Sequence, residues 1–107
     1  MLLLVPALIV MMVFVALWEE VVFRGFLLTR LYVLFRRWWV AILVSSVLFS
    51  WGHVYQGWVA VGVIGGLGIV LGALFVWRRS LLPPIVFHVV FNTVAVLALR
   101  AESEAWG

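Results

Sequence analysis

The sequence predicts an all-α, polytopic integral membrane protein. Three observations carry this. First, the 107 residues are 68% hydrophobic and 10% charged, with a mean hydropathy of +1.33. Soluble domains are about half apolar and a quarter charged. Second, the apolar residues fall into four segments, over 2–28, 40–55, 58–77 and 85–99. A bilayer core is crossed by about 20 apolar residues, so about four transmembrane helices are expected, in a single membrane-embedded domain over residues 1–107. Third, arginines flanked by tryptophans separate the segments, as at membrane–water interfaces.

Composition also excludes function classes. The chain has no cysteine, so disulfides, thiolate metal sites and a cysteine nucleophile are ruled out. It has no lysine, and its net charge of +3 rests on seven arginines. Those arginines sit between apolar segments, where they read as topology signals and contacts to membrane lipid rather than a nucleic-acid surface. The first segment lacks a basic leader and is not read as a cleaved signal peptide.

The first segment, 2–28, is long for one span and carries Glu19, Glu20 and Arg24 in its second half. It either continues past the membrane surface or breaks near the glutamates. Arg30, Arg36 and Arg37 follow, with Trp38 and Trp39. The second segment contains Ser45, Ser46, Ser50 and His53. A turn at Gln56 and Gly57 leads to the third, which holds Gly62, Gly65, Gly66, Gly68 and Gly72. Gly62/Gly66 and Gly68/Gly72 have small-xxx-small spacing, which lets helix backbones approach closely. Arg78 and Arg79 end this segment. Pro83 and Pro84 suit the first turn of a new helix, where their missing N–H groups cost little. The fourth segment carries His88 and Asn92, and residues 102–107 form a polar tail. The positive-inside rule places the loops holding Arg30, Arg36, Arg37, Arg78 and Arg79 in the cytoplasm and both termini outside.

A charge at the bilayer centre costs roughly 2.5–3.5 kcal/mol on insertion scales, so intramembrane charges are read as functional by default. On a helix Glu20 and Arg24 are four apart and share a face; they read as a structural ion pair. Glu19 lies about 100° round from Glu20, free to face a polar cavity, where a carboxylate suits general acid or base work. Taken alone, His53 reads as an interfacial hydrogen-bonder. Alone, His88 and Asn92 read as polar glue between helices, although both can donate to an oxyanion and histidine can ligate a metal. Together, five titratable groups on three apolar segments are accounted for by one polar site at a helix junction.

These residues also carry a resemblance. Glu19-Glu20-x-x-x-Arg24, Phe49-x-x-x-His53 and His88-x-x-x-Asn92 resemble the three motifs of the CPBP (Abi) family, the CAAX-prenyl-endopeptidase and bacteriocin-processing intramembrane proteases. The match runs from about Trp18 to Asn92. It implies an intramembrane endopeptidase acting on a membrane-associated, in some members lipidated, protein or peptide. By motif position, Glu19 and His53 would activate a water, His88 and Asn92 would stabilise the oxyanion, and Glu20 and Arg24 would be structural. Glu19, His53 and His88 fit a zinc site with an open water position, and equally a metal-free one. Family members usually carry more helices, so the chain reads as the family's core, either minimal or truncated, with homo-oligomerisation as one way to complete its walls. Its size and the family's distribution point to a bacterial inner membrane. Two rivals stand beside the protease: a non-catalytic bacteriocin-immunity or scaffold protein on the same fold, and an ion pathway.

One geometric difficulty follows from the spacing. Along straight helices His53 lies about 24 Å from Arg37, but His88 lies only about 14 Å from Arg79. Convergence therefore requires a tilted, short or broken helix, and the glycine-rich third segment is the expected place.

Overall fold

The computed structural model describes residues 4–106, which form helices joined by short turns. Helix α1 (Leu4–Glu20) continues into a π-helical stretch (Val21–Leu28) and then α2 (Thr29–Phe35). The first segment therefore does not break at the glutamates. It widens there, and the rod runs on for 32 residues, a length of up to about 48 Å. A π stretch shifts the hydrogen-bond ladder by one residue and leaves carbonyls to be satisfied where the α register resumes. The Thr29 hydroxyl meets that need, donating towards the carbonyls of Gly25 at 3.0 Å and Phe26 at 2.8 Å.

Arg36 closes α2 in the left-handed region, φ 61°, with its N–H bonded to the Tyr32 carbonyl at 2.7 Å. Helix α3 (Trp38–Trp51) has 14 residues. That is about 21 Å, short of a hydrocarbon core of about 30 Å. A turn through Gly52 and His53, one 3₁₀ turn at Val54–Gln56, and Gly57 at φ 100° reverse the chain. Helix α4 (Trp58–Arg78) returns, and α5 (Leu82–Trp106) follows, its first N–H capped by the Ser80 hydroxyl at 3.2 Å. Three rods, Leu4–Phe35, Trp58–Arg78 and Leu82–Trp106, are long and apolar enough to cross a membrane; α3 is the shorter fourth. About four transmembrane helices were expected, and the described residues give these three long rods and one short helix; the tail expected to be polar is also helical to Trp106, with Arg100 and Glu104 paired at 3.1 Å.

The glycine-rich helix is unbroken, contrary to expectation. The depth difficulty is resolved at the start of α5 instead. Leu81 packs against Gly25, where an added Cβ would lie 3.4 Å from the leucine Cδ1. So α5 starts beside Gly25, ten residues before the end of α2 at Phe35. Glu19 is six residues from Gly25 and His88 seven from Leu81, about 9 and 10.5 Å. The two antiparallel paths end at the same level. His53, just past the end of the short α3, reaches that level from the other side.

Helices α3 and α4 pack most closely through the second glycine pair. A Cβ on Gly68 would sit 3.2 Å from Ser46 Cα, and one on Gly72 would sit 3.2 Å from Ile42; one on Gly62 or Gly66 would meet nothing within 4 Å among the described residues. One small-xxx-small pair is thus used inside the chain and the other faces outward. We expect Gly68→Val to destabilise by about 1–3 kcal/mol through overpacking, while Gly66→Val stays within about 1 kcal/mol. Thermal unfolding of the two variants in detergent checks this. Polar groups are turned inward and large apolar ones outward: Glu20, Arg24, Ser45, Ser46, Ser50 and His88 are buried beside Leu28, Phe49 and Leu71, while Phe14, Trp18, Leu34 and Val59 are exposed, as suits a lipid solvent.

Candidate active site

Two glutamates end α1 where the helix begins to widen, and they face different partners. Glu20 is fully buried. Its Oε2 accepts from Arg24 Nη1 at 2.9 Å and from His88 Nδ1 at 2.9 Å. Arg24 Nη2 also donates to the Gly68 carbonyl at 3.1 Å, and its guanidinium lies 4.6 Å from the Phe49 ring centroid. One arginine therefore ties the π stretch to α3 and α4. Burying this charge is tolerable because it is paired and hydrogen-bonded. Two atoms of the pair, Glu20 Oε1 and Arg24 Nε, are buried with no partner among the described residues.

Glu19 is partly exposed and faces a cleft. Its Oε2 lies 3.7 Å from His53 Nε2 and its Oε1 lies 3.8 Å from His88 Nε2. Both separations exceed a direct hydrogen bond. Each imidazole is oriented through its other nitrogen. His53 Nδ1 donates to the Phe49 carbonyl at 2.8 Å, and His88 Nδ1 donates to Glu20. In a neutral ring so held, Nε2 carries the lone pair and points at Glu19. Phe49 wedges beneath both rings, 5.1 Å from His53 and 6.1 Å from His88 between centroids.

The cleft above these groups has a volume of about 830 Å³, with Glu19, His53 and His88 on its floor and Tyr55, Gln56 and Asn92 on its walls. Asn92 lies one turn beyond His88 on α5, half-buried. A second cavity, of about 40 Å³ between Leu8, Met12, Val96 and Arg100, lies away from these groups. The structure therefore brings Glu19, His53, His88 and Asn92 to one cleft and sets Glu20 and Arg24 behind it. Among the described residues no group of three or more His, Asp or Glu side chains is arranged to hold a metal ion.

Sequence reasoning missed the second role of Glu20, its bond to His88 across 68 residues. It also missed the Gly68 carbonyl as a partner for Arg24, and Tyr55 and Gln56 as cleft residues. The i,i+4 spacing of Phe49 and His53 is the local signal for the Phe49 carbonyl contact; the others have none.

A family model, the type II CAAX prenyl endopeptidase Rce1-like family, matches residues 1–94. The chain belongs to this Rce1-like family. No curated protein and no solved structure matches it. The Rce1-like match covers every residue of the cleft floor together with Asn92, and with the apolar helices it makes the chain an integral membrane protein.

Proposed function

We propose that this Rce1-like protein is an intramembrane endopeptidase, hydrolysing a peptide bond of a membrane-associated, lipidated substrate with a water held by Glu19. The observation that supports this most is the Glu19 carboxylate, set between two imidazole Nε2 atoms at 3.7 and 3.8 Å. A water there accepts or donates hydrogen bonds to all three. Glu19 takes one proton from it, helped by the His53 lone pair, and the water oxygen attacks the scissile carbonyl carbon. The carbonyl π electrons move to oxygen. Asn92 donates from its amide to that oxyanion, as does His88 from Nε2 when both its ring nitrogens carry protons. The C–N bond then breaks, and the proton on Glu19 passes to the leaving amine. Glu20 acts through His88, fixing its ring by the Nδ1 bond, and Arg24 neutralises Glu20.

The test uses the purified chain in lipid nanodiscs with a farnesylated CAAX-type fluorogenic peptide in water enriched in oxygen-18. We expect cleavage, one heavy oxygen in the new carboxylate, and slower turnover of the same peptide without its lipid. Intact farnesylated and unfarnesylated peptide under these conditions would overturn the protease reading.

A further inference from the structure

Three aromatic residues surround the turn between α3 and α4, and all are exposed: Trp51, Tyr55 and Trp58. Exposed tryptophans at helix ends suit a membrane interface. Of the three, only Tyr55 lines the cleft, and it is held in place there. The Gln56 N–H donates to the His53 carbonyl at 2.9 Å and the Gly57 N–H to the Val54 carbonyl at 3.0 Å, which closes the turn. Gly57 ends it at φ 100°, in a region that only glycine enters at little cost.

The Tyr55 ring lies nearly parallel to the His53 ring, at 21°, with centroids 6.3 Å apart, within the range of an aromatic pair. Its phenol oxygen accepts from Gln56 Nε2 at 2.9 Å. The phenol O–H is left to donate and the Gln56 Oε1 carbonyl to accept, and neither has a partner among the described residues. Side by side at the cleft, the two side chains therefore present one free donor and one free acceptor.

Much of the remaining wall offers a peptide backbone nothing. Met11, Met12, Val15, Val63, Ile64 and Phe91 are apolar, and the polar groups of the floor are engaged in the reaction proposed above. A peptide entering such a cleft loses water from its N–H and C=O groups, which is unfavourable unless they find partners. In an extended chain the N–H and C=O of one residue point the same way, and a neighbouring strand answers them with one acceptor and one donor. Tyr55 and Gln56 supply that combination. The 6.3 Å between the Tyr55 and His53 rings corresponds to about two residues of extended chain.

We propose that Tyr55 and Gln56 form a main-chain subsite: the phenol donates to the C=O and Gln56 Oε1 accepts from the N–H of one substrate residue, about two residues from the bond that is cut. That a bond is cut there rests on the protease reading; the capture of an extended peptide does not. The pair acts on substrate main chain and so selects an extended backbone rather than a particular side chain.

The test reads affinity, with the Glu19→Gln chain in lipid nanodiscs so that the farnesylated CAAX-type peptide stays intact, and with empty nanodiscs subtracted. Each peptide N–H near the cleavage position is replaced in turn by an ester oxygen. One ester is expected to weaken binding about three- to tenfold, as for loss of one hydrogen bond, and that loss is expected to vanish in Gln56→Ala. Tyr55→Phe keeps the ring beside His53 and removes only the donor; it is expected to weaken binding by a similar factor, whereas Trp51→Phe leaves binding unchanged. Ester losses that are the same with and without the Gln56 amide, equal losses from Tyr55→Phe and Trp51→Phe, or no binding above empty nanodiscs would overturn the subsite. Cleavage by the wild-type chain is measured beside these. Coupling in a chain that never cleaves would overturn only the protease reading, and cleavage without coupling only the subsite.

Discussion

Glu19→Gln is expected to abolish cleavage of the lipidated peptide while leaving insertion and folding intact. The replacement keeps the shape and one carbonyl oxygen, so a water can still sit between the two imidazoles. It removes the acceptor that takes the proton. General base catalysis is worth about a hundred- to ten-thousand-fold in rate, and the loss is expected at the upper end. The reason is that no other carboxylate among the described residues lines the cleft: Glu20 is fully buried and engaged by Arg24 and His88, and Glu102 and Glu104 lie in the last turns of α5. The thermal midpoint is expected to hold or to rise slightly, because Glu19 makes no direct hydrogen bond among the described residues and a neutral amide is easier to bury. The measurement is single-turnover cleavage beside thermal unfolding on the same preparation. Wild-type turnover by Glu19→Gln would remove Glu19 from the mechanism. Inactivity accompanied by collapse of the thermal midpoint would make it architectural.

Much of this site is written locally. Glu20 and Arg24 share a helix face by spacing alone, and that spacing also separates Glu19 from them. The class of the fold follows from composition, since a chain this apolar has no soluble solution. What was not legible depends on contacts far apart in sequence. Counting from Arg79 misplaced His88, because α5 starts where Leu81 meets Gly25, and that contact spans 56 residues. The widening of the first helix over Val21–Leu28 has no local signature beyond a glycine and a threonine. The two glycine pairs of α4 look equivalent by spacing; only the face turned towards Ser46 and Ile42 decides which one packs. Short α3 was hidden for a simpler reason: Val54 and Tyr55 continue the apolar segment past Trp51, where the helix stops.

The largest loss of stability is expected from Glu20→Ala. It removes the acceptor of two hydrogen bonds at 2.9 Å and leaves the Arg24 guanidinium buried with only the Gly68 carbonyl and the Phe49 face. Breaking one side of a buried pair costs about 3–5 kcal/mol, mostly the penalty of the charge left behind. Removing both charges together is different in kind. Glu20→Leu with Arg24→Leu takes the desolvation penalty away with the pair, and such replacements are commonly neutral or stabilising by about 1–4 kcal/mol. The double variant is therefore expected to unfold near the wild-type temperature, while each single change lowers it sharply. It also separates Glu20's two jobs. With the pair gone, nothing holds His88 Nδ1, so the ring is free to turn away from Glu19. Turnover is expected to stay low in the stable double variant, and Glu20→Gln with Arg24→Leu, which keeps an acceptor for Nδ1, is expected to recover part of it. If the double leucine variant instead cleaves at the wild-type rate, Glu20 is architecture alone, and His88 needs no carboxylate behind it.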